Sequence, residues 1–291
     1  MAITSADVSK LRAQTGAGMM DCKNALEEAG GDAEKAADLL RKKGIVKAAK
    51  RADKIAADGK IVAVVSADQK RGAVVEVNSE TDFVAKSDGF IKFAKDVSDV
   101  VESANPADLG ALLKLKLVSG KTVDEEISEL TLKIGEKIGV RRFTRYETAD
   151  GVVAIYLHGS KIGTMVEISG NDHGLALDIA MHIAAANPKY LTRDQVDSTE
   201  IEKEKSVYSE QLKAQGKPAN IIENIVKGKL DKFYGEICLL EQAFIKDEEK
   251  TVKQLVEKAG ATIKRFVRYE LGEGIEKVTK DFASEVAEQM K

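Results

Sequence analysis

Apolar positions along this chain follow two periods, which predict a helical start, a strand-and-helix frame used twice, and a helical insertion. Residues 4–44 place their apolar side chains at helical spacing in three short runs. Val8 and Leu11 share a face of the first, which Thr4-Ser5-Ala6-Asp7 would open with a capping box. Gly16-Ala17-Gly18 interrupts that run, and Met20 and Leu26 continue the apolar face in the next. Gly30-Gly31-Asp32 combines a stop with a new N-cap. Ala36, Leu39 and Leu40 then complete a three-helix miniature closed by Gly44. A core of that size is marginal alone. Residues 45–57, with Lys47, Lys50, Arg51 and Lys54, predict a helical linker with a solvated basic face.

From residue 57 onward the period shortens to two. Residues 57–65 and 72–77 form two β-rich runs joined by a polar turn at 68–71, and residues 149–157 and 163–168 repeat the pattern around His158-Gly159-Ser160. Each copy continues into a helix ending in Asn-Pro, at Asn105-Pro106 and Asn187-Pro188. A third strand closes each, Arg141-Arg142-Phe143-Thr144-Arg145-Tyr146-Glu147 and Lys264-Arg265-Phe266-Val267-Arg268-Tyr269-Glu270. Three antiparallel strands leave one apolar face that needs helices over it, so the expected class is α+β, built from two duplicated halves.

The second copy carries an insertion. Ile201, Tyr208 and Leu212 make a narrow seam, Gly216-Lys217-Pro218 breaks the helix, and Ile222, Val226, Leu230 and Phe233 resume it. This predicts an antiparallel helical hairpin with arms of roughly 25–30 Å. Val278, Phe282, Val286 and Met290 place a last amphipathic helix over 276–291. The expected divisions are residues 1–54, 55–147, 148–275 with the hairpin at 197–235, and 276–291.

Composition narrows the function classes. The 291 residues carry 45 basic and 48 acidic side chains, net −3, which argues against a generic nucleic-acid binder. Cys22 and Cys238 are far apart, without metal-ligand spacing or neighbours that would activate a thiol. His158, His173 and His182 form no triad with them, so we expect neither an enzyme nor a metal or cofactor. No leader-like N-terminus or long apolar run is present, which predicts a cytoplasmic protein without a membrane contact. Ser119-Gly120-Lys121-Thr122 imitates the end of a phosphate-binding loop, but Leu115 stands where its first glycine belongs; Thr122 to Glu125 reads more simply as a capping box.

One stretch resists a purely structural reading. Where the Ala73 to Val77 run stops, the chain continues Asn-Ser-Glu-Thr-Asp-Phe-Val-Ala-Lys-Ser-Asp-Gly-Phe over residues 78–90. Phe83 beside Asp82 suits a solvent turn poorly. Either it folds under the loop as a plug, or it enters another molecule. The second copy has only Asn171-Asp172-His173-Gly174 at this point, so the asymmetric loop is where function is expected.

Thr15-Gly16-Ala17-Gly18-Met19-Met20-Asp21-Cys22-Lys23-Asn24-Ala25-Leu26, followed by Thr81-Asp82-Phe83-Val84-Ala85-Lys86 and ending in Gly272-Glu273-Gly274-Ile275-Glu276-Lys277, closely resembles the bacterial elongation factor Ts family. The resemblance runs along the whole chain. It implies guanine-nucleotide exchange on elongation factor Tu, bound in its GDP and nucleotide-free forms, with Thr81, Asp82, Phe83 and Val84 disturbing the partner's Mg2+ site. It implies a ubiquitin-associated-like docking domain in the first three helices and a projecting coiled coil at the hairpin. Further contacts that it implies are Leu11, Met20, Lys23, Ile134, Gly135, His158 and Ile245. The family often has Gln-Pro-Phe where this chain reads Gln242-Ala243-Phe244, which leaves that turn open. Two rival readings are a peptide- or ubiquitin-binding module and a nucleic-acid adaptor using Lys47, Lys50, Arg51, Arg141, Arg142 and Arg145.

Overall fold

The computed structural model describes residues 3–276; the helix expected over 276–291 lies, beyond Glu276, outside the described residues. In chain order the elements are α1 (Ser5–Thr15), α2 (Met19–Glu28), α3 (Ala33–Lys50), β1 (Asp58–Val65), β2 (Arg71–Ser79), α4 (Asp82–Ala85), α5 (Asp88–Ala104), α6 (Leu109–Leu113), α7 (Val123–Ile134) and β3 (Ile138–Glu147). They continue as β4 (Gly151–His158), β5 (Ile162–Ser169), α8 (His173–Ala186), α9 (Ser198–Ala214), α10 (Ala219–Ile237), β6 (Ala243–Phe244), β7 (Asp247–Thr251), α11 (Val252–Lys258) and β8 (Ile263–Glu270). The fold is mixed α/β with two small three-stranded sheets, ordered β1-β2-β3 and β4-β5-β8. Contacts divide it into two compact units. One takes residues up to Val62, Val75–Phe143 and residues from Glu270; the other takes Ala63–Val74 and Thr144–Tyr269.

In the first unit, local sequence signals set the helix starts. Thr4 and Asp7 complete both halves of the capping box of α1, and the Asp32 carboxylate accepts from the Glu34 and Lys35 amides to open α3. Leu11, Cys22, Ala25, Leu26, Ala36 and Leu40 fill the three-helix core, and Leu132 of α7 joins them. Two expectations change here. Met20 does not extend the apolar core face; it is 63% exposed, because the face of α2 turned to α1 and α3 is occupied by Cys22, Ala25 and Leu26. Gly44 does not end α3, which runs on to Lys50. A Cβ at Gly44 would sit 3.1 Å from the Ser128 carbonyl oxygen and 3.5 Å from the Leu132 Cβ. The glycine is therefore a point of close approach between α3 and α7, not a stop. Thr122 and Glu125 form the capping box of α7, and Lys121 pairs with Glu129, so the lysine of the phosphate-loop lookalike is already engaged.

In the second unit, β4 pairs antiparallel with β5 from Gly151↔Ser169 to His158↔Ile162. Val152, Val166 and Ile168 of this hairpin share a core with Ile179 and Ile183 of α8 and with Leu239 and Phe244. The duplication extends to helix ends: Asn105 and Asn187 both close their helices at positive φ, 49° and 48°. Between α9 and α10, Leu212, Ile222 and Val226 are buried, with Tyr208 and Leu230 beside them; Ile201 and Phe233 belong to a separate cluster around Val196 and Ile237.

Each half also buries one carboxylate at the matching place in its second strand. Glu76 of β2 is fully buried and receives Arg141 Nη1 at 3.1 Å and Arg142 Nε at 2.6 Å. Glu167 of β5 receives Arg265 Nε at 2.6 Å, with Lys264 Nζ at 3.5 Å. Glu76 accepts a further bond from the Gly272 amide, 2.9 Å away. Among the described residues, no helix is long and apolar enough to cross a membrane.

Candidate functional site

The asymmetric loop is built from the end of β2. Between β2 and α5 the first half inserts residues 80–87, whereas only residues 170–172 separate β5 from α8. The extra residues form α4, a single turn capped by Thr81 in an extended conformation. Helical geometry splits its four residues between two faces. Val84 and Ala85 are buried at 8% and 4%, while Asp82 is exposed and Phe83 is 80% exposed. Phe83 is therefore no plug for its own loop. Lys86 pairs with Asp82 at 2.6 Å, and its Nζ stands 5.9 Å from the Phe83 ring centroid. Those bonds hold the Asp82 carboxyl below the usual carboxylate range.

Two carboxylates fix the base of this turn. Glu136 accepts from the Thr81 amide at 3.0 Å and from the Thr81 hydroxyl at 2.9 Å. Glu80 accepts from the Lys137 amide at 2.6 Å and from Arg51 of the segment after α3. Glu136 can reach Thr81 because Gly135 turns the chain at the end of α7 with φ 85°, a conformation costly for residues with a Cβ. The structure thus brings Thr81–Val84 and Ile134–Gly135 to one end of the first unit. Sequence reasoning missed Glu80 and Glu136; nothing in their spacing distinguishes them from other surface acids.

Other candidate residues divide by accessibility. Leu11 is 1% exposed and spent on the three-helix core, whereas Met20 and Lys23 face outward with Met19. A groove of about 390 Å³ beside them is lined by Ile3, Val8, Met19, Met20 and Lys23, among others. The preceding Gly16 lies against the Lys133 side chain near the end of α7. Five of the six basic residues that suggested nucleic-acid binding are engaged elsewhere, while Lys50 is exposed. Arg51 pairs with Glu80, Arg141 and Arg142 with Glu76, and Arg145 with Glu147; Lys47 donates to the Leu132 carbonyl.

His158 and Ile245 belong to the second unit. His158 is exposed at the end of β4, its Nδ1 3.2 Å from the Tyr156 hydroxyl, and Ile245 is 42% exposed. The Ile245 amide donates to Nδ1 of His182 at 3.3 Å, so Nε2 carries the proton and donates to Gln242 Oε1 at 2.9 Å. Gln242 in turn donates to the Ala186 and Glu236 carbonyls, and Phe244 is buried with its ring 5.8 Å from His182. This network holds the turn at Ala243. Each histidine thus has its own partner, His173 with Gln69 being the third, and among the described residues no serine, threonine or cysteine is hydrogen-bonded to any of them. Burial pushes the Cys238 thiol up to about 11. Among the described residues no cluster of His, Cys, Asp and Glu could hold a metal ion.

Burial pushes the His182 imidazole below its ordinary value, against the opposing Gln242 bond. Stability from the neutral ring is then fully present above about pH 6.5 and is lost as pH falls through the native value. Protonation also removes the acceptor for the Ile245 amide. Hydrogen exchange at Ile245 should accelerate, relative to the intrinsic rate, once pH falls well below about 6.5. Protection that stays constant down to the acid unfolding transition would contradict the assignment.

A sequence model of the family described as Elongation factor TS matches residues 80–273. Elongation factor Ts of Methylococcus capsulatus is 50% identical over 291 residues, covering 100% of this chain and 99% of that protein. Elongation factor Ts of Thioalkalivibrio sulfidiphilus is 50% identical over 292 residues, with the same coverage of each chain. Elongation factor Ts of Halothermothrix orenii is 48% identical over 297 residues, again covering 100% and 99%. With similarity of this degree along its whole length, the chain belongs to the elongation factor Ts family of translation elongation factors.

Proposed function

We propose that this protein is a cytoplasmic guanine-nucleotide exchange factor which binds elongation factor Tu and expels its GDP, with no chemical step of its own. The observation that carries this reading is Phe83, an aromatic ring held 80% exposed on a turn anchored at its base. A solvent-facing phenyl gains nothing within its own chain, and an anchored loop loses little entropy when the ring enters a partner.

The thermodynamic basis is linkage. Binding nucleotide-free elongation factor Tu more tightly than the GDP form weakens GDP by the same factor. A ring inserted beside the partner's nucleotide site can shift the ligands of its Mg2+ ion, a large local charge holding the phosphates. Burying a Phe of ~150 Å² at ~25 cal/mol/Å² supplies at most about 4 kcal/mol. The remaining affinity comes from docking surfaces. Met20 and Lys23, with Met19, supply the one on the first three helices, which act as a ubiquitin-associated-like module; Leu11 supports it from inside. Ile134 and Gly135 flank the wedge, His158 and Ile245 contact a further region of the partner, and residues 276–291 add a last docking segment. The α9–α10 hairpin is a projecting coiled coil.

The engaged arginines weigh against a nucleic-acid adaptor. A free-standing ubiquitin-type module would leave the Thr81–Val84 loop idle. The deciding experiment mixes the full chain with elongation factor Tu charged with fluorescent GDP, in stopped flow with excess unlabelled GDP. Release should accelerate by about a hundredfold at saturation. An unchanged release rate at saturating protein would end this reading.

A further inference from the structure

The groove beside α2 carries a chemistry that docking by itself does not require. Two adjacent thioethers stand at its edge, Met19 at 48% and Met20 at 63% exposure. Met165, by contrast, is fully buried in the second unit. Cys22, a few residues along the same helix, is sealed at 0% exposure with its Sγ directed at the Ala17 carbonyl. Any soluble oxidant therefore meets two methionine sulfurs here before it meets the thiol.

We propose that Met19 and Met20 form an oxidation-sensitive site through which hydrogen peroxide weakens docking on the partner. This rests on the docking role given to the groove above. In each step a lone pair of Sδ attacks one peroxide oxygen and forms an S–O bond while the O–O bond breaks. The other oxygen leaves as water with both peroxide hydrogens. Sulfur loses two electrons, the peroxide gains them, and the product is methionine sulfoxide. An apolar, adaptable side chain becomes a dipolar one. The groove wall is mixed: Ile3 and Val8 offer no donor to a sulfoxide oxygen, while Thr4, Ser5, Ser9 and Lys23 also line it. In the free protein the sulfoxide oxygen bonds to water or to these groups; pressing that dipole against an apolar partner strips part of this hydrogen bonding, and we expect a loss of about tenfold or more in affinity.

The test treats the full chain alone with hydrogen peroxide, removes the peroxide with catalase, and titrates elongation factor Tu calorimetrically. Peptide mass spectrometry should find one added oxygen on Met19 and on Met20 before any on Met165. Affinity should fall about tenfold or more, with the far-ultraviolet circular dichroism unchanged. Methionine sulfoxide reductases should restore it, and dithiothreitol alone should not. In a Met19→Leu/Met20→Leu variant, whatever its starting affinity, peroxide should no longer change it. Full conversion of both residues without loss of affinity would overturn the proposal, as would loss through unfolding or recovery with dithiothreitol alone. Unoxidised Met20→Asp separates the two layers. If it binds with undiminished affinity, the docking role and this inference both fall; if it binds weakly while the sulfoxides bind normally, only the inference falls.

Discussion

Phe83→Ala should slow the exchange of GDP on elongation factor Tu by about thirtyfold, while the variant still binds and melts at the temperature of the parent. The expected size follows from area. Complete burial of the ring is worth at most ~4 kcal/mol, and if half is lost to strain in the displaced partner, ~2 kcal/mol remains, or about thirtyfold in rate. The fold should be indifferent, because the ring is 80% exposed and the loop is held by Val84, Ala85 and the two carboxylate clamps; substitutions at such positions usually change stability by less than ~0.5 kcal/mol. Phe83→Leu should fall between the two, since it keeps part of the area without the ring's flat shape. Glu136→Gln probes aim rather than area. It weakens the bonds to Thr81, so it should reduce the rate less than Phe83→Ala, by several-fold to about tenfold for a lost charge-assisted bond. Stopped-flow release on mixing with charged elongation factor Tu gives all these values. A Phe83→Ala rate equal to the parent at saturation would remove the wedge.

Glu76→Ala should be the most destabilising single change outside the apolar core, by about 3 kcal/mol in urea unfolding. Its carboxylate is fully buried and gathers four donors: Arg141, Arg142, the Asn78 amide at 3.2 Å and the Gly272 amide. Removing it takes away the carboxylate that both guanidinium groups share, while Arg142 keeps the Glu273 carboxylate and Arg141 the Glu273 carbonyl. The two arginine side chains are 31% and 28% exposed and can partly rehydrate, which places the expectation at the low end of the ~3–5 kcal/mol seen for broken buried pairs. The same cluster grips the turn at Glu270–Gly274, since Arg142 donates to the Glu270 carbonyl and the Glu273 carboxylate, and Arg141 to the Glu273 carbonyl. Amide exchange at Gly272 should therefore rise in the variant even where the protein remains folded. A destabilisation below ~1 kcal/mol, with Gly272 still protected, would show that the cluster contributes little.

The pH dependence of Glu76 has a definite sign. Burial pushes its carboxyl up, but the Gly272 amide, Arg142 and Asn78 together hold it below the usual range. A depressed carboxylate contributes stability that is fully present above about pH 4.5 and is lost as pH falls through the native value. Glu76→Gln should be less stable than the parent at neutral pH, and the difference should shrink in acid.

Much of the frame was legible because its signals are local. The capping boxes at Thr4 and Thr122, the N-cap at Asp32 and the strand-turn-strand repeat each depend on residues a few positions apart. A capping bond forms between a side chain and an amide three residues away, whatever the rest of the chain does. Gly44 and Met20 were misread for the opposite reason. Glycine at a helix end and glycine at a helix crossing look alike until the second helix is present, and here Ser128 decides between them. An apolar residue at helical spacing joins the core only if a neighbour closes over it; among the described residues none does over Met20.

By itself, the sequence determined that two similar α+β halves exist, that the first alone inserts Thr81–Lys86 after its second strand, and that this insertion carries the family's signature. Only the tertiary structure decided which way Phe83 faces. That choice belongs to partners distant in the chain: Glu136 and Lys137 tie down the loop, Val84 and Ala85 take the inward places, and the phenyl ring is left outside. Spacing along a chain records which residues can share a face, whereas burial depends on what arrives from elsewhere to cover it.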